Sequence, residues 1–220
     1  KIIAGTGTYS TSESIEITKM ADSLGVDGIM IVTPYYSKPS QHGILRHFEE
    51  ISKITDLPIM AYNIPGRTST LIELETLQTL VDDIGIHSIK DAVGDFEFSK
   101  KQLELLKDKV DIYSGNDNQT YDFVINGGVG VVSVASHVVG DEISEMISFA
   151  KDNDLEKAEE INMQLSNLFE AIFEEPSPGP IKKILSESWE EVGEPLLPIT
   201  SITPELANKI RGFYKKIKEN

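Results

Sequence analysis

A lysine, Lys90, stands inside the short apolar run "HSIKDAVGD" (87–95). Lysine is rarely buried unless its ammonium group is paired or takes part in chemistry. Side chains alternate along a strand, so Ser88, Lys90 and Ala92 share one face of the predicted strand. Burial would lower the pKa of the lysine from about 10.4 and free the amine to attack a carbonyl carbon, as in Schiff-base catalysis. The pattern alone leaves a second interpretation open, in which the lysine reaches solvent or pairs with a neighbouring aspartate.

Two other side chains of chemical interest follow a second strand-like run, "PIMAYN". The phenol of Tyr62 at its end can move protons, although a core tyrosine with a satisfied hydroxyl has the same pattern. Arg67 follows a Pro-Gly turn and can bind a carboxylate through two hydrogen bonds, although a surface loop arginine is equally compatible. Tyr35 and Tyr36 of "TPYY" are either packing residues or the aromatic lip of a pocket or interface.

Composition excludes several classes of function. The net charge of −16 argues against a nucleic-acid partner, because such a surface repels phosphate. There is no cysteine, and the four histidines have no ligand-like spacing, so neither disulfides nor a zinc site are expected. "GTGT" (5–8) lacks the third glycine of a dinucleotide fingerprint and predicts a tight backbone at a strand end. Without a long apolar run or a signal peptide, the chain is expected to be cytoplasmic, with no membrane partner.

Strand-like and helical patterns alternate up to about residue 150. The predicted strands cover 1–7, 28–34, 58–65, 87–93, 110–115 and 128–136. The helical patterns between them cover 12–24, 41–54, 73–83, 96–108 and 118–126, with Ser12 expected to cap the first and Gly25 to end it. Such alternation predicts βαβ units around a parallel sheet. Polar residues collect at the carboxyl ends of the strands, where α/β proteins build their sites.

The C-terminal third has a helical pattern. Two amphipathic helices are predicted over 141–175 with a break within 151–157, and further helices over 181–188 and 204–218. The βα units number six, whereas a closed barrel has eight. We therefore predict an α/β protein of the TIM-barrel type, (β/α)8, whose first two units are missing from the chain, with an open six-stranded sheet as the alternative. Residues 1–138 would hold barrel units three to eight. Residues 139–220 would hold the last barrel helix and a C-terminal helical extension.

The order and spacing of several motifs resemble one enzyme family over essentially the whole chain. These motifs are "IAGTGT", "TPYY", "PSQHGILRHFEEI", "DLPIMAYNIPGRT", "IKDAVGD", "YSGND", "GGVGVVSV" and "PSPGPIK". They are similar to those of the pyruvate-dependent class I aldolases, the N-acetylneuraminate lyase family, whose members are (β/α)8 barrels. The resemblance implies that Lys90 forms the Schiff base with pyruvate and that Tyr62 donates and accepts protons. It also implies that Arg67 binds the carboxylate of the second substrate, that Tyr36 crosses a dimer interface to complete a neighbour's proton relay, and that Val132 lines the pyruvate pocket.

Within that family, Arg67 and "YSGND" favour the lyases that condense pyruvate with L-aspartate 4-semialdehyde in the biosynthesis of diaminopimelate and lysine. The resemblance implies a homo-oligomer, a dimer of dimers, without metal or organic cofactor. Two alternatives remain: an aldolase of N-acetylneuraminate or another 2-keto-3-deoxy sugar acid, and a non-catalytic relative that binds ketoacids. In members inhibited by lysine the resemblance places an Asn at the position of Tyr9, together with Glu13 and Tyr35. Because this chain has a tyrosine there, we predict no inhibition by lysine.

Overall fold

A computed structural model describes residues 1–219, and its strands form one parallel sheet. The strands are β1 (Ile3–Gly5), β2 (Gly28–Val32), β3 (Ile59–Asn63), β4 (Ser88–Asp91), β5 (Asp111–Ser114) and β6 (Gly130–Val131). They lie in chain order, and each neighbouring pair is parallel. The predicted α/β class and the six parallel strands are therefore confirmed. The sheet brings the carboxyl ends of all six strands to one edge.

The last strand is shorter than predicted. The pattern over 128–136 predicts a strand throughout, but β6 ends at Val131. The reason lies in the following residues, where the buried carboxylate of Asp117 accepts hydrogen bonds from the backbone N–H groups of Val134 (3.1 Å) and Ala135 (3.2 Å). The hydroxyl of Ser133 donates to the same carboxylate. A side chain thus satisfies the backbone groups that a longer strand would have paired.

The helices between the strands agree closely with the helical patterns. They are α1 (Thr11–Ser23), α2 (Gln41–Ser52), α3 (Pro65–Thr68), α4 (Leu74–Thr79), α5 (Phe96–Leu105) and α6 (Thr120–Ile125), with a π-helical turn at Leu80–Ile84. The expected cap of the first helix is wrong, because Ser12 lies inside α1 and Ser10 is the N-cap residue. The expected end of that helix is confirmed, because Gly25 follows it in the left-handed conformation (φ 74°) that favours glycine.

Four helices form the C-terminal part. They are α7 (Ser136–Lys151), α8 (Leu155–Ala171), α9 (Gly179–Ser188) and α10 (Pro204–Lys218). The predicted break within 151–157 and the predicted last helix are confirmed. No helix among residues 1–219 is both long enough and apolar enough to cross a bilayer.

The chain divides into two compact units. The first contains Lys1–Asn116 and Asn126–Val131, and the second contains Asp117–Ile125 and the residues from Val132 onward. In the first unit the apolar face of α2 is fully buried, through Ile44, Phe48 and Ile51. In the second unit α8 buries a comparable apolar face, through Leu165, Leu168 and Phe169. Spacings of three and four residues place each set on one side of its helix.

The glycines of "GTGT" have different surroundings. A Cβ atom on Gly7 would lie 2.5 Å from the backbone nitrogen of Val32 and 3.0 Å from the Cα atom of Ile31. No neighbour lies within 4 Å of the corresponding position on Gly5. The predicted tight backbone at this strand end is confirmed at Gly7, which has no room for any side chain.

Candidate functional site

One row of the sheet contains the predicted nucleophile. Register pairs join Val32, Tyr62, Lys90, Tyr113 and Gly130 on β2 to β6. Register partners on parallel strands point to the same face of a sheet. Lys90 therefore lies between two tyrosines, with Tyr62 on one side and Tyr113 on the other.

The structure brings Lys90 and Tyr62 into contact. The Nζ atom of Lys90 lies 4.0 Å from the centroid of the Tyr62 ring, which is within cation–π range. Lys90 is half-buried, whereas Ile89 and Asp91 on the other face of β4 are 0% and 1% exposed. The alternating faces expected from the sequence are thus observed, and the two residues expected to perform the chemistry are neighbours.

The phenol of Tyr62 is held in its protonated form. Burial raises the pKa of Tyr62 above its ordinary value, because a phenolate loses solvation in the protein. The positive charge of Arg67 acts in the opposite direction and lowers the same pKa. At neutral pH Tyr62 therefore has a proton to donate, and Arg67 is close enough to favour the phenolate that remains after donation.

Arg67 lies on α3, the single helical turn that follows β3. Its side chain is exposed, and so it is accessible to a solute at this edge of the sheet. The segment that carries it is held by Asn63, the last residue of β3. The side-chain amide of Asn63 donates to the carbonyl oxygen of Ile72 (3.0 Å), and its oxygen accepts from the N–H group of Ile72 (3.0 Å). This reciprocal pair closes the loop between the two residues.

Asn63 belongs to a second row, one residue further along the strands, which the sequence interpretation missed. Asn63, Asp91 and Ser114 are register partners, and each is 0–1% exposed. Each of them follows a residue of the first row, as the dipeptides Tyr-Asn, Lys-Asp and Tyr-Ser in the sequence indicate. Each side chain hydrogen-bonds the backbone of the loop that leaves its strand. A polar residue directly after each inward-facing residue was the signal available in the sequence.

Asp91 shows how this second row works. Its carboxylate accepts hydrogen bonds from the N–H group of Val93 (2.8 Å) and the side-chain amide of Gln102 on α5 (3.2 Å). Burial raises the pKa of Asp91, and hydrogen bonds from Val93, Ser99 and Gln102 act against that rise. The side chain of Asp91 therefore lies on the opposite face of β4 from that of Lys90, and it anchors the start of the loop that follows.

The remaining predicted residues lie elsewhere. Tyr36 is 93% exposed on the loop after β2 and has a positive φ of 70°, so its side chain makes little contact with the described chain. Tyr35 packs edge-on against Tyr9, with 5.9 Å between ring centroids. Val132 is half-buried in the second unit, directly before the segment held by Asp117. The roles expected for Tyr36 and Val132 stay predictions.

This arrangement is suited to carbonyl chemistry. A primary amine and a protonated phenol lie on one face at the carboxyl ends of adjacent strands, and a guanidinium group follows on the next loop. The amine can add to a ketone, and the phenol can supply the proton that the departing oxygen needs. The guanidinium group can bind a carboxylate of the incoming substrate.

Comparison with known proteins identifies a family with these features. The model of the dihydrodipicolinate synthetase family matches residues 1–217. The 4-hydroxy-tetrahydrodipicolinate synthase of Desulforudis audaxviator is 41% identical over 215 residues, which cover 98% of this chain and 73% of the relative. The enzyme of the same name from Thermosynechococcus vestitus is 44% identical over 212 residues, which cover 96% of this chain and 72% of the relative.

Solved structures give the same result. Dihydrodipicolinate synthase from Bacillus anthracis has a TM-score of 0.93 at 39% identity, over 97% of this chain and 73% of that protein. The enzyme from Cyanidioschyzon merolae with lysine bound has a TM-score of 0.95 at 39% identity, over 99% of this chain and 74% of that protein. A family model that matches nearly every residue, and relatives about 40% identical in sequence with the same fold, lead to one conclusion: the chain belongs to the dihydrodipicolinate synthetase family.

Proposed function

We propose that the chain acts as a 4-hydroxy-tetrahydrodipicolinate synthase, a lyase that condenses pyruvate with L-aspartate 4-semialdehyde through a Schiff base on Lys90. Membership of the family, and relatives of that name at 41% and 44% identity, support the activity and its place in diaminopimelate and lysine biosynthesis. The observation that carries the assignment to residues is the 4.0 Å separation between the Nζ atom of Lys90 and the ring centroid of Tyr62.

The first half of the proposed reaction loads pyruvate onto the lysine. The neutral amine of Lys90 attacks the ketone carbon of pyruvate to give a carbinolamine. The hydroxyl of Tyr62 protonates the departing oxygen, which leaves as water, and a protonated imine forms. The imine withdraws electrons from the adjacent methyl group, which loses a proton to the phenolate of Tyr62 and gives an enamine. The raised pKa of Tyr62 suits the donor role, because the phenol keeps its proton until the carbinolamine forms.

The second half joins the two substrates. The guanidinium group of Arg67 binds the carboxylate of aspartate semialdehyde and brings its aldehyde to the enamine. The enamine carbon attacks the aldehyde carbon, the carbonyl π bond breaks, and the aldehyde oxygen takes a proton from Tyr62 to become a hydroxyl group. The new carbon–carbon bond restores the imine. The substrate's own amine then attacks the imine carbon and displaces Lys90, which closes a six-membered ring and releases the free lysine amine.

Further features of the family are part of this proposal. The six strands are assigned to units three to eight of a (β/α)8 barrel, and an alignment with 73–75% of the length of the solved relatives, at TM-scores of 0.93 to 0.95, supports six units out of eight. The exposed ring of Tyr36 reaches a neighbouring subunit in a dimer of dimers, and Val132 lines the pyruvate pocket. A cytoplasmic location is part of the same proposal.

Trapping with borohydride tests the proposed nucleophile. Pyruvate and sodium borohydride together should add one reduced pyruvate to the chain, seen by intact mass, and peptide mapping should locate it on Lys90. Lys90→Arg keeps the positive charge but cannot form an imine, so it should give no adduct. The matched control is Lys100→Arg on the exposed side of α5, which should react as the unchanged chain does. No adduct on the unchanged chain, or an adduct that survives in Lys90→Arg, would contradict the assignment.

The substrate is tested separately. With trapping established, aspartate semialdehyde should compete with borohydride and reduce the yield of adduct, because it consumes the enamine. N-acetylmannosamine should not reduce that yield. The reverse result would replace the proposed substrate with a sugar and make the chain an aldolase of sugar acids.

A further inference from the structure

Gly115, the residue directly after β5, lies beside the outer end of the Lys90 side chain. Its backbone nitrogen donates to the carbonyl oxygen of Asp91 at 2.6 Å, which holds the ends of β4 and β5 close together. A Cβ atom on Gly115 would lie 2.8 Å from the Cβ atom of Ala92, 3.0 Å from the Cε atom of Lys90 and 3.1 Å from the carbonyl oxygen of Asp91. Any side chain at this position would therefore meet three atoms at once.

We infer that Gly115 is a positioning residue for the proposed nucleophile: the missing side chain leaves the space through which Lys90 extends to its reactive position. This inference rests on the proposed function, because it concerns the amine that would form the Schiff base. The Cε atom of Lys90 carries the reactive nitrogen, so a displacement of that atom moves the nitrogen as well.

The need for glycine at this position is one of space and not of backbone conformation. Gly94, in the loop after β4, has a φ of +83°, a conformation that side chains rarely tolerate. Gly115 is not among the residues with a positive φ, so an alanine could adopt its backbone conformation. What an alanine would lack is room next to Lys90 and Ala92.

The atoms around Gly115 differ in how easily they move. The carbonyl oxygen of Asp91 belongs to the backbone and accepts the hydrogen bond from the N–H group of Gly115. The Cβ atom of Ala92 is attached directly to the backbone. The end of the Lys90 side chain is flexible by comparison. An added methyl group would therefore push Cε of Lys90 out of its place and change the position of Nζ over the Tyr62 ring. A nucleophile displaced by about 1 Å reacts much more slowly, by as much as about a hundredfold.

The first test is the rate of borohydride trapping with pyruvate. Gly115→Ala should lower that rate by about tenfold or more, while circular dichroism shows an intact fold. The matched control is Gly212→Ala in α10, where an added Cβ meets nothing within 4 Å, and it should trap at the unchanged rate. Trapping of Gly115→Ala at the rate of the unchanged chain would overturn the inference and leave the proposed function standing. No adduct in the unchanged chain would overturn both.

A second variant separates positioning from a general loss of stability. Ala92→Gly removes the 2.8 Å contact, so adding Gly115→Ala to Ala92→Gly should lower the melting temperature less than adding it to the unchanged chain. The contact with Cε of Lys90 remains in the double variant, so its trapping rate should stay about tenfold below that of Ala92→Gly. Recovery of the trapping rate together with the melting temperature would overturn the inference, because crowding of Ala92 would then explain the whole effect.

Discussion

Lys90 and Tyr62 are register partners on neighbouring parallel strands, and the Nζ atom of the lysine lies 4.0 Å from the centroid of the tyrosine ring. Their closeness is set by strand pairing, which is among the most rigid features of an α/β protein. Ladder hydrogen bonds fix the two backbones, and the side chains of Ala61 and Ile89 between the paired residues are fully buried. A site built in this way is aligned before any substrate binds, so little ordering remains to be done during the reaction.

The first prediction concerns the hydroxyl of Tyr62. Tyr62→Phe keeps the ring next to Lys90 but removes the proton donor, so imine formation with pyruvate should slow by about a hundredfold or more. The measurement is the rate of trapping by borohydride. Tyr113→Phe is the matched control, because Tyr113 is the register partner of Lys90 on its other side. Tyr113→Phe should trap at the unchanged rate, and equal slowing in both variants would contradict a proton-donor role specific to the Tyr62 hydroxyl.

The second prediction concerns the charge of Arg67. This charge lowers the pKa of Tyr62 against the stronger effect of burial, so Arg67→Met should raise the Tyr62 pKa further. Ultraviolet absorbance of tyrosinate, titrated in each protein with and without Tyr62→Phe, isolates the Tyr62 transition. Arg46→Met is the control and should leave the pKa of Tyr62 unchanged. Arg46 lies on the surface of α2, where it pairs with Glu49 and Glu50. A Tyr62 transition that does not move in Arg67→Met would contradict the proposed electrostatic link.

The sequence predicted the strands and helices around this site better than the contacts that hold its loops and side chains in place. Apolar runs and helical spacing indicated six strands and the helices between them, because these patterns depend on periodicity alone. The alternation around Lys90 also predicted which residues share its face. Patterning could not predict the short β6, because the end of that strand depends on the carboxylate of Asp117, seventeen residues before Val134 in the chain. It could not predict the space around Gly115 either, which exists only when β4 and β5 lie side by side.

The third prediction tests the buried row behind the site. Asn63→Ala leaves both backbone groups of Ile72 without their partners in a buried place, which should cost about 2–4 kcal/mol of unfolding free energy. Urea denaturation measures the loss. Asn167→Ala on the exposed side of α8 is the control and should change stability by less than about 0.5 kcal/mol. A loss in Asn63→Ala no larger than that of the control would mean that the two hydrogen bonds between Asn63 and Ile72 do not stabilise the loop that carries Arg67.

The fourth prediction is a pH dependence that originates in the packing of α1 against α2. His47 is 3% exposed, and its Nδ1 atom lies 2.9 Å from the hydroxyl oxygen of Thr11. Burial lowers the pKa of His47 from 6.5 to about 4. The unfolded chain therefore takes up a proton near pH 6.5 while the folded chain stays neutral down to about pH 4. Its stability falls as the pH falls through this range, by up to about 3 kcal/mol from this residue.

The variant His47→Gln removes this titration. Unfolding free energies from urea denaturation near pH 7 and near pH 5 should differ less in His47→Gln than in the unchanged chain. His42→Gln, on the exposed side of the same helix, should keep the full difference. Carboxylates with lowered pKa values also lose stability in acid, but that loss is common to all three proteins and cancels in the comparison. An unaltered pH dependence in His47→Gln would show that folding does not lower the pKa of His47.

The last prediction concerns lysine as a regulator. The ring of Tyr9 packs edge-on against Tyr35, and its hydroxyl lies 3.5 Å from one carboxylate oxygen of Glu13. The hydroxyl of Thr8 donates to the other carboxylate oxygen at 3.3 Å. Glu13, which the resemblance places at the lysine site of inhibited relatives, thus already accepts two hydrogen bonds from its own chain. The ring of Tyr9 lies where those relatives are expected to have an asparagine. We expect isothermal titration with L-lysine to give no heat of binding. Binding that disappears in Glu13→Gln but persists in Glu16→Gln, on the exposed surface of the same helix, would contradict this expectation and show that the site accepts lysine despite the tyrosine.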